Sequence, residues 1–121
     1  MALKTSLNLI ARRIAQAVLR FAAAEGWPRE DFALAGTYDE NTERISLTFG
    51  TDHHFEEKAC YSGIFRELRR EFNDHPELIM HIGLIVRQVT SIDEIIWDGD
   101  TGGDVVDLTD LLDRYLSEKR P

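Results

Sequence analysis

Three carboxylates, Asp98, Asp100 and Asp104, punctuate a glycine-rich segment, with Asp107 just downstream. Hard divalent cations take several carboxylate oxygens from a flexible loop, so this spacing predicts calcium or magnesium as the ion and these three side chains as its ligands. The match to a helix-loop-helix calcium loop is incomplete. Gly102 stands at the fifth position and Thr109 at the twelfth, where an oxygen ligand and a bidentate glutamate are needed. The same aspartates also make plain turn residues that accept backbone N–H bonds.

A second group, His53, His54, Glu56, Glu57 and Cys60, opens what reads as a helix. Positions 53, 57 and 60 would share one helical face, where imidazole, carboxylate and thiolate together suit zinc. Against zinc stands the lack of a second cysteine or a His-x₃-His pair; Cys60 then reads as a small apolar residue and the glutamates as partners of the helix dipole. Nucleophilic chemistry would fall to Cys60 or Ser62 beside one of four histidines. No Gly-x-Ser-x-Gly elbow, Cys-x-x-Cys pair, phosphate-cradling loop or dinucleotide fingerprint accompanies them. Arg66, Arg69 and Arg70 form a basic cluster that could hold an anion, but Glu67 lies three residues before Arg70 and Asp74 four after it, so a solvated, locally neutralised helix face is expected. His81 sits in an apolar run as a hydrogen-bonded core-edge histidine, while Trp27 and Trp97 serve as core lids or exposed anchors.

The elements that must carry these residues are legible from their periods. Leu3, Leu7, Ile10, Ile14, Ala17 and Phe21 follow a 4-3-4-3-4 spacing, with Ala11, Ala15, Val18 and Ala22 in a second row, which predicts a helix over residues 4–25 ended by Gly26 and Pro28. From Phe32 the period is two, and after the polar turn at 39–43 come Ile45, Leu47 and Phe49: a β-hairpin, with the helices packed on the Ile45, Leu47 and Phe49 side. Tyr61, Phe65, Leu68 and Phe72 predict a second helix over 55–73, stopped by Pro76. The run Leu78–Val89 reads as a central strand. Residues 91–97 fit a capped helix or, better, a strand; Val105–Leu108 fit one more short strand; and Thr109 caps a last helix on Leu111, Leu112, Tyr115 and Leu116. The expected architecture is one α+β domain over 1–121 in the order α-β-β-α-β-β-α, with an antiparallel or mixed sheet of about four strands. Its core is Ile10, Ile14, Phe21, Leu47, Phe65, Leu68, Phe72 and Ile82.

Composition narrows the partners. The chain has 121 residues and a net charge of −8, which opposes binding to nucleic acid or to an anionic membrane surface. The charge is uneven, +3 over residues 1–30, −5 over 31–90 and −6 over 91–121, so the first helix and the tail are expected to attract each other. One cysteine and an N-terminal apolar run broken by Arg12 and Arg13 point to a reducing cytoplasm, and no apolar stretch approaches the ~20 residues of a membrane span.

The strongest signals are thus wide apolar helical faces and an acidic surface. They predict a non-catalytic protein-binding module with a protein partner, and a homodimer whose contact is Ala11, Ala15, Val18 and Ala22, since the two rows of the first helix exceed the ~100° stripe one neighbour covers. In element order, size and acidity the chain resembles the type III secretion chaperones. That resemblance implies a dimeric α+β fold that holds effector segments in extended form. The alternative is a small divalent-metal-dependent or ligand-binding enzyme using loop 98–107.

Overall fold

The computed structural model describes residues 7–90 and 105–117. Helix α1 spans Leu7–Glu25, strands β1 and β2 span Phe32–Asp39 and Arg44–Thr51, helix α2 spans Glu57–Glu71, strand β3 spans Ile82–Gln88, strand β4 spans Val105–Asp107, and helix α3 spans Thr109–Leu116. This is the expected α+β order. The fourth described strand is the short one before the last helix, and residues 91–97 lie outside the described residues.

The sheet is mixed, with strand order β3-β2-β1-β4. Strands β1 and β2 form the antiparallel hairpin, in register from Asp39 opposite Arg44 to Phe32 opposite Thr51. Its turn is closed by the Asp39 carboxylate, which accepts from the Asn41 N–H at 2.9 Å, and by Glu43 at a φ of 54°. Helix α2 then carries the chain back so that β3 runs parallel to β2, as a crossover connection must. This corrects the reading of Leu78–Val89 as the central strand. Pro76–His81 form a 3₁₀ turn instead, and among the described residues β3 pairs with β2 alone, at an edge. The apolar run misleads because alternate residues of a strand and a 3₁₀ turn at its mouth present no period of their own.

All three helices cover the face bearing Leu34, Tyr38, Ile45, Leu47 and Phe49. Helix α1 lies against α2 and α3, while α2 reaches β3 and α3 reaches β1. Every residue of the expected core is buried. Helix α1 ends as glycine permits: Gly26 takes a φ of 78°, and the Trp27 N–H donates to the Ala22 carbonyl at 2.9 Å. Helix α2 starts on the Glu56 carboxylate, which accepts from the Ala59 N–H at 3.1 Å. At α3 the expected Thr109 cap is not made: the N-cap position falls on Leu108, with no side-chain cap bond. Asp107 accepts from the Thr109 N–H at 2.9 Å, whereas the Thr109 hydroxyl turns to the backbone of Gly36 in β1.

The second row of α1 is also accounted for within the chain. Ala11, Ala15, Val18 and Ala22 are fully buried, because α2 and α3 flank α1 from two sides. The width that suggested a second copy of the chain is the width needed by two intramolecular neighbours. These four residues do not offer a dimer contact.

Candidate surface on the edge strand

The sheet's second face meets, at β3, an edge that is unpaired among the described residues. Ile82 and Val86 point into the core, and the alternate residues Gly83, Ile85 and Arg87 point the other way. Ile85 is 61% exposed, and Met80, just ahead of the strand, is 83% exposed. A β-branched residue half out of water on an edge strand is the arrangement natural sheets usually blunt with charge or proline. Here the charge is present but to either side. Arg87 follows on the same face, and the Arg44 side chain crosses from β2 over Gly83, where a β-carbon would meet its Nη2 at 2.9 Å. Glycine at 83 is what leaves that path open. His81, expected inside a strand, stands at its start and ties it to the hairpin turn, its Nδ1 lying 3.0 Å from the Glu43 carbonyl oxygen.

The edge thus offers, in line, a guanidinium, an apolar side chain and a second guanidinium. Beside them lie the backbone N–H and C=O groups that β3 does not spend on β2. Such an edge can hydrogen-bond an extended chain through its backbone and read alternate side chains. Sequence reasoning assigned these residues to a buried strand and missed the surface. The signal available was Gly83 and Arg87 inside the Ile-rich run, both unsuited to the middle of a sheet.

The other expected sites fare differently. Asp98, Asp100 and Asp104, the expected calcium or magnesium ligands, lie outside the described residues, as does Trp97. Asp107 accepts from the Thr109 N–H at the start of α3. The expected zinc set is not brought together. Helix α2 begins at Glu57, so His53 is not on it; Glu56 is the cap; Glu57 and His54 are exposed; and Cys60 is buried, its thiol pushed up to about 12 by burial and then by the Glu25 carboxylate. A thiol in that state is neither a ready ligand nor a ready nucleophile. Cys60 lines one side of a cavity of about 310 Å³ walled also by Phe21, Trp27, Phe55, Glu25 and Glu56. His53 instead faces Asp31, with Nε2 2.8 Å from Oδ2, and its ring stacks on Trp27.

The arginine cluster of α2 reads as expected, with one change of partner. The buried Glu67 carboxylate takes Arg70 at 3.4 Å and Arg66 at 3.8 Å, and also Arg20 of α1 at 3.1 Å. Asp74 pairs with Arg13 of α1 at 2.6 Å rather than with Arg70. The same guanidinium also donates to the Glu71 carbonyl. Among the described residues no helix is long and apolar enough to cross a membrane. No family model, no curated protein and no solved structure matches the chain. The likeness to secretion chaperones therefore stays one of element order.

Proposed function

We propose that the chain is a non-catalytic protein-binding module that takes up an extended segment of a partner protein as a further strand along β3. The observation that carries this reading is the exposed Ile85 set between Arg44 and Arg87 on a strand paired on one side only among the described residues. Main-chain hydrogen bonds to such an edge supply affinity, and alternate side chains supply choice. A segment lying beside β3 would place an acidic residue near Gly83 and Arg44, an apolar one beside Ile85 and a second acidic one beside Arg87. The pattern acidic-x-apolar-x-acidic reads the same in either chain direction.

A second copy of the chain fits this edge less well. In a two-fold antiparallel pairing centred on Ile85, Arg87 of one copy falls opposite Gly83 of the other, where that copy's Arg44 lies. Like charges would meet at both ends of the contact. The partner is therefore heterologous, in keeping with the burial of the α1 rows on which a homodimer was expected.

A labelled peptide centred on Glu-Thr-Ile-Thr-Glu tests the reading, with Lys-Thr-Ile-Thr-Lys as its control. The acidic peptide should bind saturably, slow the exchange of β3 amide protons, and lose about tenfold in affinity, or 1.4 kcal/mol, with either Ile85→Lys or Arg87→Glu. Equal binding of both peptides, or protection confined to other elements, would overturn it.

A further inference from the structure

The far end of the hairpin brings together three side chains that are distant in sequence. The last paired residues of β1 and β2 are Phe32 and Thr51, so Asp31 and Asp52 step off the two strands at the same place. His53 follows, and one ligand atom from each of Asp31, Asp52 and His53 lies within 4.8 Å of the others. Two carboxylate oxygens and one imidazole nitrogen so placed can close on a single ion at ordinary bond lengths of ~2.0–2.2 Å with a small inward rotation of their side chains.

What distinguishes this corner from a chance meeting of surface acids is how its ligands are held. The fully buried Thr51 hydroxyl donates to the Asp31 carbonyl at 2.7 Å and accepts from the His53 N–H at 3.2 Å, so one side chain fixes the backbone beneath two of the three ligands. The His53 ring is set by a second contact. It lies parallel to the Trp27 indole, at 5.4 Å and 7° between planes, and presents Nε2 to the Asp31 carboxylate. Ligands oriented by packing and by outer hydrogen bonds lose little freedom on binding. Arg29, two residues before Asp31, has partners of its own. Arg29 donates to the Phe32 carbonyl at 2.6 Å and pairs with Asp113, away from the two aspartates.

We propose that Asp31, Asp52 and His53 form a binding site for a borderline divalent transition-metal ion, of which Zn²⁺ and Mn²⁺ are the probes. Imidazole with two carboxylates favours such ions over Mg²⁺ or Ca²⁺, which prefer all-oxygen shells. On binding, the ion takes the lone pair of Nε2 and one oxygen from each aspartate and replaces whatever proton joined His53 to Asp31. That proton goes to solvent. Water fills the coordination positions the protein leaves open.

The test uses the full chain, stripped with a chelator and dialysed, titrated calorimetrically with ZnCl₂. One equivalent should bind with a dissociation constant in the micromolar range or below, and equimolar Mg²⁺ should not displace it. Asp52→Asn and His53→Phe, the latter keeping a ring on Trp27, should each weaken binding at least tenfold while leaving the melting temperature of the metal-free protein within a few degrees. Asp98→Asn with Asp100→Asn should change nothing. In the unsubstituted protein, Mn²⁺ should broaden the amide resonances of residues 31, 52 and 53 first, a readout that does not depend on how the variants fold. Millimolar affinity, affinity that survives both substitutions, or broadening centred on the 98–104 segment overturns the proposal.

Discussion

Replacing Gly63 by alanine should destabilise the protein, although alanine is the better helix former. A β-carbon at position 63 would lie 2.6 Å from Cε1 and 2.9 Å from Cδ1 of Phe21 on α1, where carbon contacts ordinarily settle at ~3.5–4.0 Å. The ring would have to move by about 1 Å. Its movement is resisted by its neighbours: Phe21 is 3% exposed and meets both Trp27 and Phe49 edge to face at 5.9 Å. Helix propensity favours the substitution by ~1 kcal/mol, and overpacking a close-packed site costs ~1–3 kcal/mol. The severity of the overlap places the cost at the upper end, for a net loss of about 1–2 kcal/mol. With an unfolding entropy of ~2.1 cal/mol/K per residue over 121 residues, that lowers Tm by roughly 4–8 °C. Thermal and urea unfolding give the number, and a double-mutant cycle gives its cause. In a Phe21→Leu background the ring is gone, and Gly63→Ala should become neutral or stabilising by up to ~1 kcal/mol. A raised Tm in the native background, or the same penalty without the ring, would refute the close approach of α1 and α2 as the reason for glycine.

Thr51→Val keeps the side chain's shape but strands the Asp31 carbonyl and the His53 N–H, at a cost of about 1–3 kcal/mol in urea unfolding; a loss under ~0.5 kcal/mol would mean that water replaces the hydroxyl. Cys60, its thiol pushed up to about 12, should react with a disulfide reagent at pH 8 far more slowly in the folded chain than in urea, and rapid stoichiometric labelling of the native protein would place the thiol at the surface. The Asp74 carboxyl is held below its ordinary value, chiefly by the hydrogen bond from Arg13. Its contribution is therefore complete above the ordinary carboxylate range and is lost as pH falls through the lowered value, so Asp74→Asn should destabilise at pH 7 and the difference should shrink as the pH is taken down below the ordinary carboxylate range. A difference that persists unchanged in acid would assign the effect to something other than the ion pair.

The helices and the hairpin were legible because each shows an unbroken period against a single apolar environment. For α1, all nine of the positions marked by spacing alone from Leu7 to Ala22 are in the core. The first failure is one of partner rather than of element. A wide apolar face says how much of a helix is covered and not by what, and on α1 the covering is α2 and α3 rather than another molecule. The second failure is β3. A run such as Ile82-Gly83-Leu84-Ile85-Val86 looks buried on both faces, yet only the crossover through α2, which delivers it outside β2, decides that Ile85 faces water. The corner at Asp31, Asp52 and His53 was within reach. Asp31 immediately precedes the first predicted strand and Asp52 closely follows the second, so a hairpin register drawn from the alternation would have set them side by side. The zinc reading instead extended a helical period back to His53, across the cap at Glu56, where the period does not apply.

Charge supplies the last step. The basic first third and acidic tail suggested attraction between α1 and the tail, but Arg13 and Arg20 of α1 are taken by Glu67, Glu71 and Asp74, so the seam between α1 and α2 is neutralised locally. On the sheet side, Arg44 and Arg87 have no carboxylate partner among the described residues. The net charge of −8 opposes any anion from afar, whereas within a Debye length of ~8 Å these two guanidinium groups dominate and can grip a carboxylate bidentately. Added salt weakens the attraction and the repulsion together. Affinity for the acidic peptide should therefore change little between ~50 and ~300 mM salt, and its logarithmic slope should stay shallower than about −2, the most that two neutralised contacts yield even on a polyanion. Fluorescence anisotropy across that range measures the slope. A steeper fall would mean that a diffuse basic surface, rather than Arg44 and Arg87 flanking Ile85, holds the segment.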